Sequence, residues 1–149
     1  LRTAALIGLL SIGACTSAKI LLVKGPDTGD LVVQVDGLRN ADGSVRMALF
    51  SGPEGFPGDA EVAFRVETIS VDGSTLSWNV ESLATGMWAV AALHDEDDDG
   101  AMATDWMGRP SEGWGVSNDA RGRFGPPSFE DAAFEVTRGE TRISINLTY

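Results

Sequence analysis

Cysteine, histidine and positive charge are scarce in this sequence. Its 149 residues include 1 Cys and 1 His, and 11 Lys and Arg stand against 22 Asp and Glu, for a formal net charge of −11. A single cysteine argues against a disulfide framework, a zinc finger or an iron–sulfur cluster, because each needs several cysteine or histidine side chains. The negative charge repels nucleic-acid phosphates, so we expect no nucleic-acid partner. The remaining composition, with 43% hydrophobic residues, is typical of one globular domain.

The N-terminal segment has the order of features found in a bacterial signal peptide. Arg2 supplies a positive charge, and the apolar run over residues 4–12 is too short to span a bilayer. Residues 12–15, Ile-Gly-Ala-Cys, resemble a lipobox, in which an aliphatic residue and two small residues precede the cysteine that receives the lipid. We therefore expect residues 1–14 to be a lipoprotein signal peptide and Cys15 to be lipidated. A buried N-terminal helix with an inert thiol is the alternative interpretation.

A lipid on Cys15 would attach the protein to a membrane, since buried acyl methylenes supply the anchoring energy. Thr16 rather than Asp follows this cysteine, which favours the outer membrane. We therefore expect an exported protein, either an outer-membrane lipoprotein facing the periplasm or a periplasmic protein. Residues 15–30 are rich in turn formers and predict a tether before a domain over 31–149. The apolar residues 20–23 could form an edge strand or touch the lipid surface, and both interpretations stay open.

Two Asp-Gly pairs separate runs that have the composition of β-strands. Asp42-Gly43 lies between residues 31–38 and 44–50, and the second pair, at 72–73, follows another run of β-branched residues. An Asp-Gly pair between two such runs is a strong signal for a tight turn that joins antiparallel strands. The sequence therefore predicts two β-hairpins, the first formed by strands 31–38 and 44–50 and the second by strands 62–71 and 75–80.

The rest of the domain also has strand patterns and no sustained helical periodicity. The apolar run 86–94 predicts a strand buried on both faces, and residues 142–149 alternate apolar and polar side chains. We expect an all-β domain, an antiparallel β-sandwich of about seven strands and of immunoglobulin-like or transthyretin-like type. The predicted strands are residues 31–38, 44–50, 62–71, 75–80, 86–94, 134–136 and 142–149.

An acidic run follows the apolar strand and has the sequence pattern of a calcium-binding loop. Asp95, Asp97 and Asp99 stand at alternate positions, and Gly100 follows where such a loop turns sharply. Calcium binds about six to eight oxygen atoms, and closely spaced carboxylates converge at low cost only when a cation cancels their repulsion. We therefore expect a calcium site, with a solvated acidic turn as the alternative.

Two later positions of this loop depart from the helix-loop-helix calcium motif. The ninth position is Ala103 rather than a polar residue, and the twelfth is Trp106 rather than a bidentate Glu. Asp105 is expected to substitute for that Glu, and the carbonyl of Ala101 to serve as the ligand in the middle of the loop. The affinity would be the weak one of an extracellular site. The predicted ligands are Asp95, Asp97, Asp99, Ala101 and Asp105.

Five further residues are candidates for ligand binding. His94, beside several carboxylates, could be the general base of an envelope hydrolase, although a lone His at a strand end is more often a structural hydrogen-bonding group. Trp106 and Trp114 could stack on the apolar faces of a glycan, or close the open end of the sandwich as packing residues. Arg121 or Arg123 is expected to pair with carboxylates of the acidic loop, with an exposed anion-binding patch as the alternative.

One long segment of the chain has an unusual sequence that unrelated proteins would not share by chance. Residues 121–129 read Arg-Gly-Arg-Phe-Gly-Pro-Pro-Ser-Phe, and shorter segments such as 37–40 and 94–96 accompany them. Together these segments, spread over residues 31–149, resemble the bacterial family named domain of unknown function 2141 (DUF2141). The resemblance implies an exported β-sandwich whose activity is not known.

The acidic loop of that family usually reads His-Asp-x-Asn-x-Asn-Gly, followed by a further Asp. This chain has Asp97 and Asp99 in place of the two Asn residues and Ala103 in place of the later Asp. From all of these features we expect a lipid-anchored envelope module, binding or structural and not an enzyme, with calcium as its cofactor. Its partner would be a glycan or an envelope protein.

Overall fold

The computed structural model describes residues 27–149, so the predicted signal peptide, Cys15 and the 20–23 segment lie outside the described residues. Over 27–149 the regular structure is β, apart from one 3₁₀ turn and one short helix, α1. No helix in this part of the chain is long and apolar enough to cross a membrane. The strands are β1 Thr28–Asp36, β2 Ser44–Phe50, β3 Arg65–Ser70, β4 Thr75–Ala84, β5 Gly86–Asp95, β6 Gly113–Val116, β7 Phe134–Val136 and β8 Gly139–Asn146; the 3₁₀ turn is Ser117–Asp119 and α1 is Phe129–Ala132.

The strands form two sheets. The smaller sheet has the order β4-β1-β8, and the larger has the order β3-β2-β5-β6, with β7 also paired to β5. Strands β1 and β8 run parallel, so the expectation of a wholly antiparallel fold is wrong for this pair. The other pairs are antiparallel, as expected. A parallel pair requires a long crossover, and here nearly the whole domain lies between the two strands.

Side chains from both sheets share one hydrophobic core. Alternate residues of β1, such as Leu31 and Val33, have no exposed surface, and Trp78 of β4 is 1% exposed beside them in the same cluster. From the larger sheet, Met47 and Val90 join this cluster. Because strand side chains alternate between faces, the neighbours of these residues point away from the core. On the outer face of the larger sheet, a second, smaller cluster of buried residues forms around Ala89, Val116 and Ala132.

Neither predicted β-hairpin is present. Strands β1 and β2 lie in different sheets, and so do β3 and β4, so each Asp-Gly turn carries the chain from one sheet to the other. Gly43 has a φ of +62°, and a Cβ atom there would lie 2.0 Å from the carbonyl oxygen of Asp95. Glycine is needed at this turn because it packs against the end of β5. The residues of a turn signal a reversal of the chain, but they do not determine which strand becomes the partner.

Strand β5 forms the centre of the larger sheet, where the apolar run predicted a strand buried on both faces. It pairs with β2 on one side and with β6 on the other. Strand β6 was not predicted, because it is short and half glycine. A Cβ atom at Gly113 would lie 2.5 Å from the Tyr149 ring, so the absence of a side chain there admits that ring. His94 of β5 faces Gly113 in the register, so the chain between them is one long loop with fixed ends.

Candidate metal site

The acidic loop leaves β5 at Asp95 and returns to the sheet at Gly113. Within residues 27–149, one group of side chains has the arrangement of a metal site, and it consists of Asp95, Asp97 and Asp99. One carboxylate oxygen of each lies within 4.8 Å of the others. Asp95 is buried and the other two are exposed, so the cluster is anchored at the strand end and open to solvent.

Backbone N–H groups of the loop itself hold these carboxylates. The two oxygens of Asp95 accept from the N–H groups of Asp99, at 3.1 Å, and Gly100, at 2.8 Å. Asp97 accepts from the Asp99 N–H at 3.2 Å, and Asp99 accepts from the Ala101 N–H at 2.8 Å. A carboxylate has about four acceptor sites, so each keeps lone pairs that a cation can use. The loop is therefore folded around the cluster by its own hydrogen bonds.

The negative charge of the cluster perturbs the titration of Asp97. The hydrogen bond from the Asp99 N–H lowers the pKa of Asp97, but desolvation and the charges of three neighbouring carboxylates outweigh it. The pKa of Asp97 is therefore raised from its ordinary value of 3.8. After desolvation, like charges held close together contribute to this rise, and a dication between them would oppose that contribution.

Asp105, predicted as a ligand, is not brought to this cluster. Its carboxylate accepts from the N–H groups of Met107, at 2.8 Å, and Arg109, at 3.0 Å, and it pairs with Arg109 Nε at 3.0 Å. These interactions, led by the hydrogen bond from the Arg109 N–H, lower the pKa of Asp105. Asp105 therefore stabilises its own turn at the tip of the loop. Ala101 is in contact with the cluster because its N–H donates to Asp99. A role for its carbonyl as a ligand stays a prediction.

Glu112, which the sequence did not single out, fixes the base of the loop. It is 4% exposed, and its two carboxylate oxygens accept from the N–H groups of Glu96 and Ala103, each at 2.9 Å. The residue thus joins the first and middle parts of the loop to the start of β6. No local pattern marks Glu112 in the sequence, because its importance comes from two backbone groups that are distant along the chain.

Glu96 connects the acidic loop to the linker between β1 and β2. It accepts hydrogen bonds from both Nε, at 2.7 Å, and Nη2 of Arg39, and from Asn40 Nδ2 at 2.8 Å. The hydrogen bonds from Arg39, supported by Asn40 and by the guanidinium charge, lower the pKa of Glu96 from its ordinary value of 4.5 despite some burial. The Arg39 guanidinium also lies 4.3 Å above the centre of the Tyr149 ring.

We expect Glu96→Gln to lower the free energy of unfolding by about 1–2 kcal/mol at pH 7, since solvent screens the half-exposed Arg39. The folded-state pKa of Glu96 is below its unfolded value, so this stability is present above the unfolded pKa and is lost as pH falls through the folded one. Urea unfolding at a series of pH values should therefore show the two proteins converging in acid. Glu54→Gln, at an exposed loop residue, is the control. A difference that persists unchanged to about pH 3 would contradict the ion pair as its source.

His94 is a buried structural group. Its ring is 0% exposed, with Nε2 2.8 Å from the Asp42 carbonyl oxygen and Nδ1 2.7 Å from the Tyr149 hydroxyl. Because a carbonyl can only accept, we assign the proton to Nε2, and Nδ1 then accepts from the hydroxyl. Burial raises the pKa of Tyr149 above 10.0, which keeps that hydroxyl protonated. A general base needs access to substrate, and the His94 ring has none.

The predicted aromatic and cationic residues do not converge on the acidic cluster. Trp106 is 92% exposed at the loop tip, so it does not close the end of the fold as a packing residue. Arg121 stacks on Trp114, 5.1 Å from the ring centroid, and donates to the Thr148 hydroxyl. The expected pairing of Arg121 with the acidic loop is therefore wrong. Arg123 is exposed and pairs with no carboxylate among the described residues.

Over residues 27–149 the chain is thus a nearly all-β domain in which an acidic loop connects the paired strands β5 and β6. The family described as an uncharacterized protein conserved in bacteria, DUF2141, matches the chain over residues 33–144. The chain belongs to the DUF2141 family, which confirms the resemblance found in its sequence. Searches of curated proteins and of solved structures found no match to it.

Proposed function

We propose that this chain is a non-enzymatic binding or structural module of the bacterial cell envelope that binds calcium at Asp95, Asp97 and Asp99. The proposal includes a lipid anchor on Cys15, in the outer membrane facing the periplasm or in the periplasm. It also includes assignment of the two stacked sheets to an immunoglobulin-like or transthyretin-like sandwich. Calcium would be structural, because it would fix the conformation of the loop that presents Trp106 to solvent.

The convergence of three carboxylates within 4.8 Å is the observation that carries this proposal. Two further features support it. The loop backbone already holds each carboxylate in place, so binding an ion requires little ordering of the chain. The pKa of Asp97 is raised by desolvation and by the charges of neighbouring carboxylates, and calcium would relieve the repulsion among those charges. With three carboxylates and few other oxygens, an affinity in the weak extracellular range of about 10⁻⁴–10⁻³ M is expected.

Calorimetric titration of the chelator-treated protein with calcium tests the proposal. An ion that binds only the folded state at this affinity would stabilise it by about 1.4–2.7 kcal/mol at about 10 mM calcium. Asp97→Asn should weaken binding by roughly tenfold, because it removes one charge but keeps the oxygen that accepts the Asp99 N–H. Asp72→Asn removes the same charge from an exposed turn and should leave the affinity unchanged.

Two results would contradict calcium binding at this cluster. One is the absence of heat and of stabilisation at about 10 mM calcium, which would make the acidic run a solvated turn. The other is equal weakening by Asp97→Asn and Asp72→Asn, which would mean that calcium responds to the total charge of the protein.

Glycan binding is a second candidate, and the exposure of Trp106 favours it. An indole that is 92% exposed at a loop tip offers a flat apolar face to a sugar ring. Trp114 does not offer a second exposed indole face beside Trp106, since the Arg121 guanidinium covers one face of the Trp114 ring. Titration with a chito-oligosaccharide should change the tryptophan fluorescence of the wild type and of Met107→Ala, but not of Trp106→Ala. The absence of a fluorescence change in the wild type would exclude chito-oligosaccharides as the ligand.

A hydrolase that uses His94 is not proposed. Its ring has no exposed surface, and both ring nitrogens are occupied by Asp42 and Tyr149.

A further inference from the structure

A cleft of about 380 Å³ lies on the outer face of the larger sheet. Ala48 of β2, Ala91 of β5 and Val116 of β6 are direct neighbours in the strand register and line its floor. The adjacent residues of these strands, such as Met47 and Val90, belong to the core on the other face. Residues of the 51–64 loop and of the acidic loop line the cleft as well. The cleft thus borders the acidic loop at Gly100 and Ala101, and no aspartate of the cluster is among the described residues that line it.

Small side chains make this cleft. Central strands usually carry β-branched or aromatic residues, whereas Ala48 and Ala91 each contribute only a methyl group to the floor of the cleft. The surfaces around them are supplied by Leu93, Met102 and Trp114, so the lining is predominantly apolar. Its volume falls in the range of about 300–1,000 Å³ that is typical of sites for small molecules.

Among residues 27–149, Arg46 is the one charged residue that lines the cleft, and no acidic residue of this range lines it. Its neighbours in the register are Thr68 and Leu93, which are both uncharged. Arg46 Nη1 donates to the carbonyl of Gly100 at 2.9 Å, which leaves most of its five N–H donors available. Among the described residues no carboxylate forms an ion pair with Arg46, although the chain carries 22 Asp and Glu. A cation held in an apolar cleft without a counterion attracts an anionic ligand.

We propose that this cleft binds a small amphipathic anion. The ligand would have an apolar chain or ring that packs on Ala48 and Ala91, and a carboxylate or phosphate group that pairs with Arg46. The geometry favours this class over a polar anion because the described floor residues, Ala48, Ala91 and Val116, have no hydrogen-bonding side chain. It favours the class over a neutral apolar molecule because the guanidinium donors that Gly100 does not use would then have no anionic partner. The inference does not depend on calcium in the acidic loop.

The test uses decanoate, decyl phosphate and 1-decanol as probes, with a chelator present so that calcium plays no part. Two-dimensional NMR of the isotope-labelled protein reports both the affinity and the location of each probe. We expect shifts centred on Arg46, Ala91 and Trp114, and an affinity for the anionic probes that exceeds that for 1-decanol by roughly tenfold. The stronger of the two anions identifies the carboxylate or the phosphate as the natural head group.

Two variants make the result specific. Arg46→Gln should weaken decanoate binding by roughly tenfold and leave 1-decanol binding unchanged, whereas Arg65→Gln, on the neighbouring edge strand, should affect neither. Ala91→Leu should fill the floor of the cleft and abolish binding of all three probes. If that variant does not fold, Arg46→Gln still decides the matter.

Three outcomes would overturn the inference. These are equal affinity for decanoate and 1-decanol, shifts that lie away from the cleft, and protection of the cleft by a second copy of the chain in the absence of any probe. A failure of calcium to bind would leave this inference intact, because every measurement here is made without calcium.

Discussion

Replacing His94 with Ala is expected to lower the free energy of unfolding by about 3–5 kcal/mol. The substitution deletes a fully buried ring and leaves a cavity near the end of β5, where the acidic loop begins. It also removes the partner of the Asp42 carbonyl and one of the two partners of the Tyr149 hydroxyl, which still accepts from the Arg39 N–H. Because Asp42 and Tyr149 are partly exposed, water compensates for some of these lost hydrogen bonds, and the cavity left by the ring is the larger part of the cost.

Denaturant unfolding of three further variants separates these contributions. Tyr149→Phe removes the hydrogen bond to the His94 ring and the one accepted from the Arg39 N–H, and it should cost about 1–2 kcal/mol because the hydroxyl is partly exposed. His94→Gln keeps one donor and one acceptor and should recover part of the loss. Met87→Ala, at a half-exposed position of the same strand, should cost under about 1 kcal/mol. If His94→Ala were as stable as the wild type, the structural role of the His94 ring would be contradicted.

Glu112→Ala is expected to lower the free energy of unfolding by about 2–4 kcal/mol. The carboxylate satisfies two backbone N–H groups, those of Glu96 and Ala103, and an alanine satisfies neither. Because Ala103 is only half-buried, water can reach part of the space that the carboxylate leaves. The loss of stability is therefore smaller than that expected for two fully buried N–H groups without acceptors. Because Glu112 fixes the base of the acidic loop, the variant should also bind calcium more weakly.

Two controls support the interpretation of this variant. Glu112→Gln keeps one acceptor oxygen but turns an amide NH₂ toward the second N–H, so its stability should lie between those of the wild type and Glu112→Ala. Glu61→Ala removes an exposed carboxylate and should have almost no effect. If Glu112→Ala unfolds at the same denaturant concentration as Glu61→Ala, the loop is not held by this carboxylate.

Patterns along the chain predicted the strands better than their pairing. The apolar run of β5 and the alternation in β8 identified strands, because period and burial are local properties of a sequence. The two Asp-Gly turns were correctly placed as reversals, but the strands on either side joined different sheets. Partner choice depends on which faces bury each other across the whole domain, and two adjacent turn residues carry no information about that.

The same distinction applies to the candidate site. Alternate spacing of Asp95, Asp97 and Asp99 predicted carboxylates that converge, since their geometry depends on a few consecutive residues. Asp105 was wrongly grouped with them because its nearest partner, Arg109, competes for its carboxylate. Glu112 was missed because its partners lie elsewhere in the loop. The cleft on the larger sheet could not be predicted, since it requires strands from three parts of the chain to lie side by side.

Two-dimensional NMR of the protein during a calcium titration, with magnesium as the comparison, tests the central claim most directly. Calcium should shift the backbone amides of Asp95 to Ala101, and above all those of Asp99 and Gly100, which donate to the cluster. The shifts should saturate at millimolar calcium and be much smaller with magnesium, which demands stricter octahedral geometry. Amides of the loop that stay unchanged, or that respond to both ions no more than the rest of the acidic surface does, would contradict calcium binding by this domain.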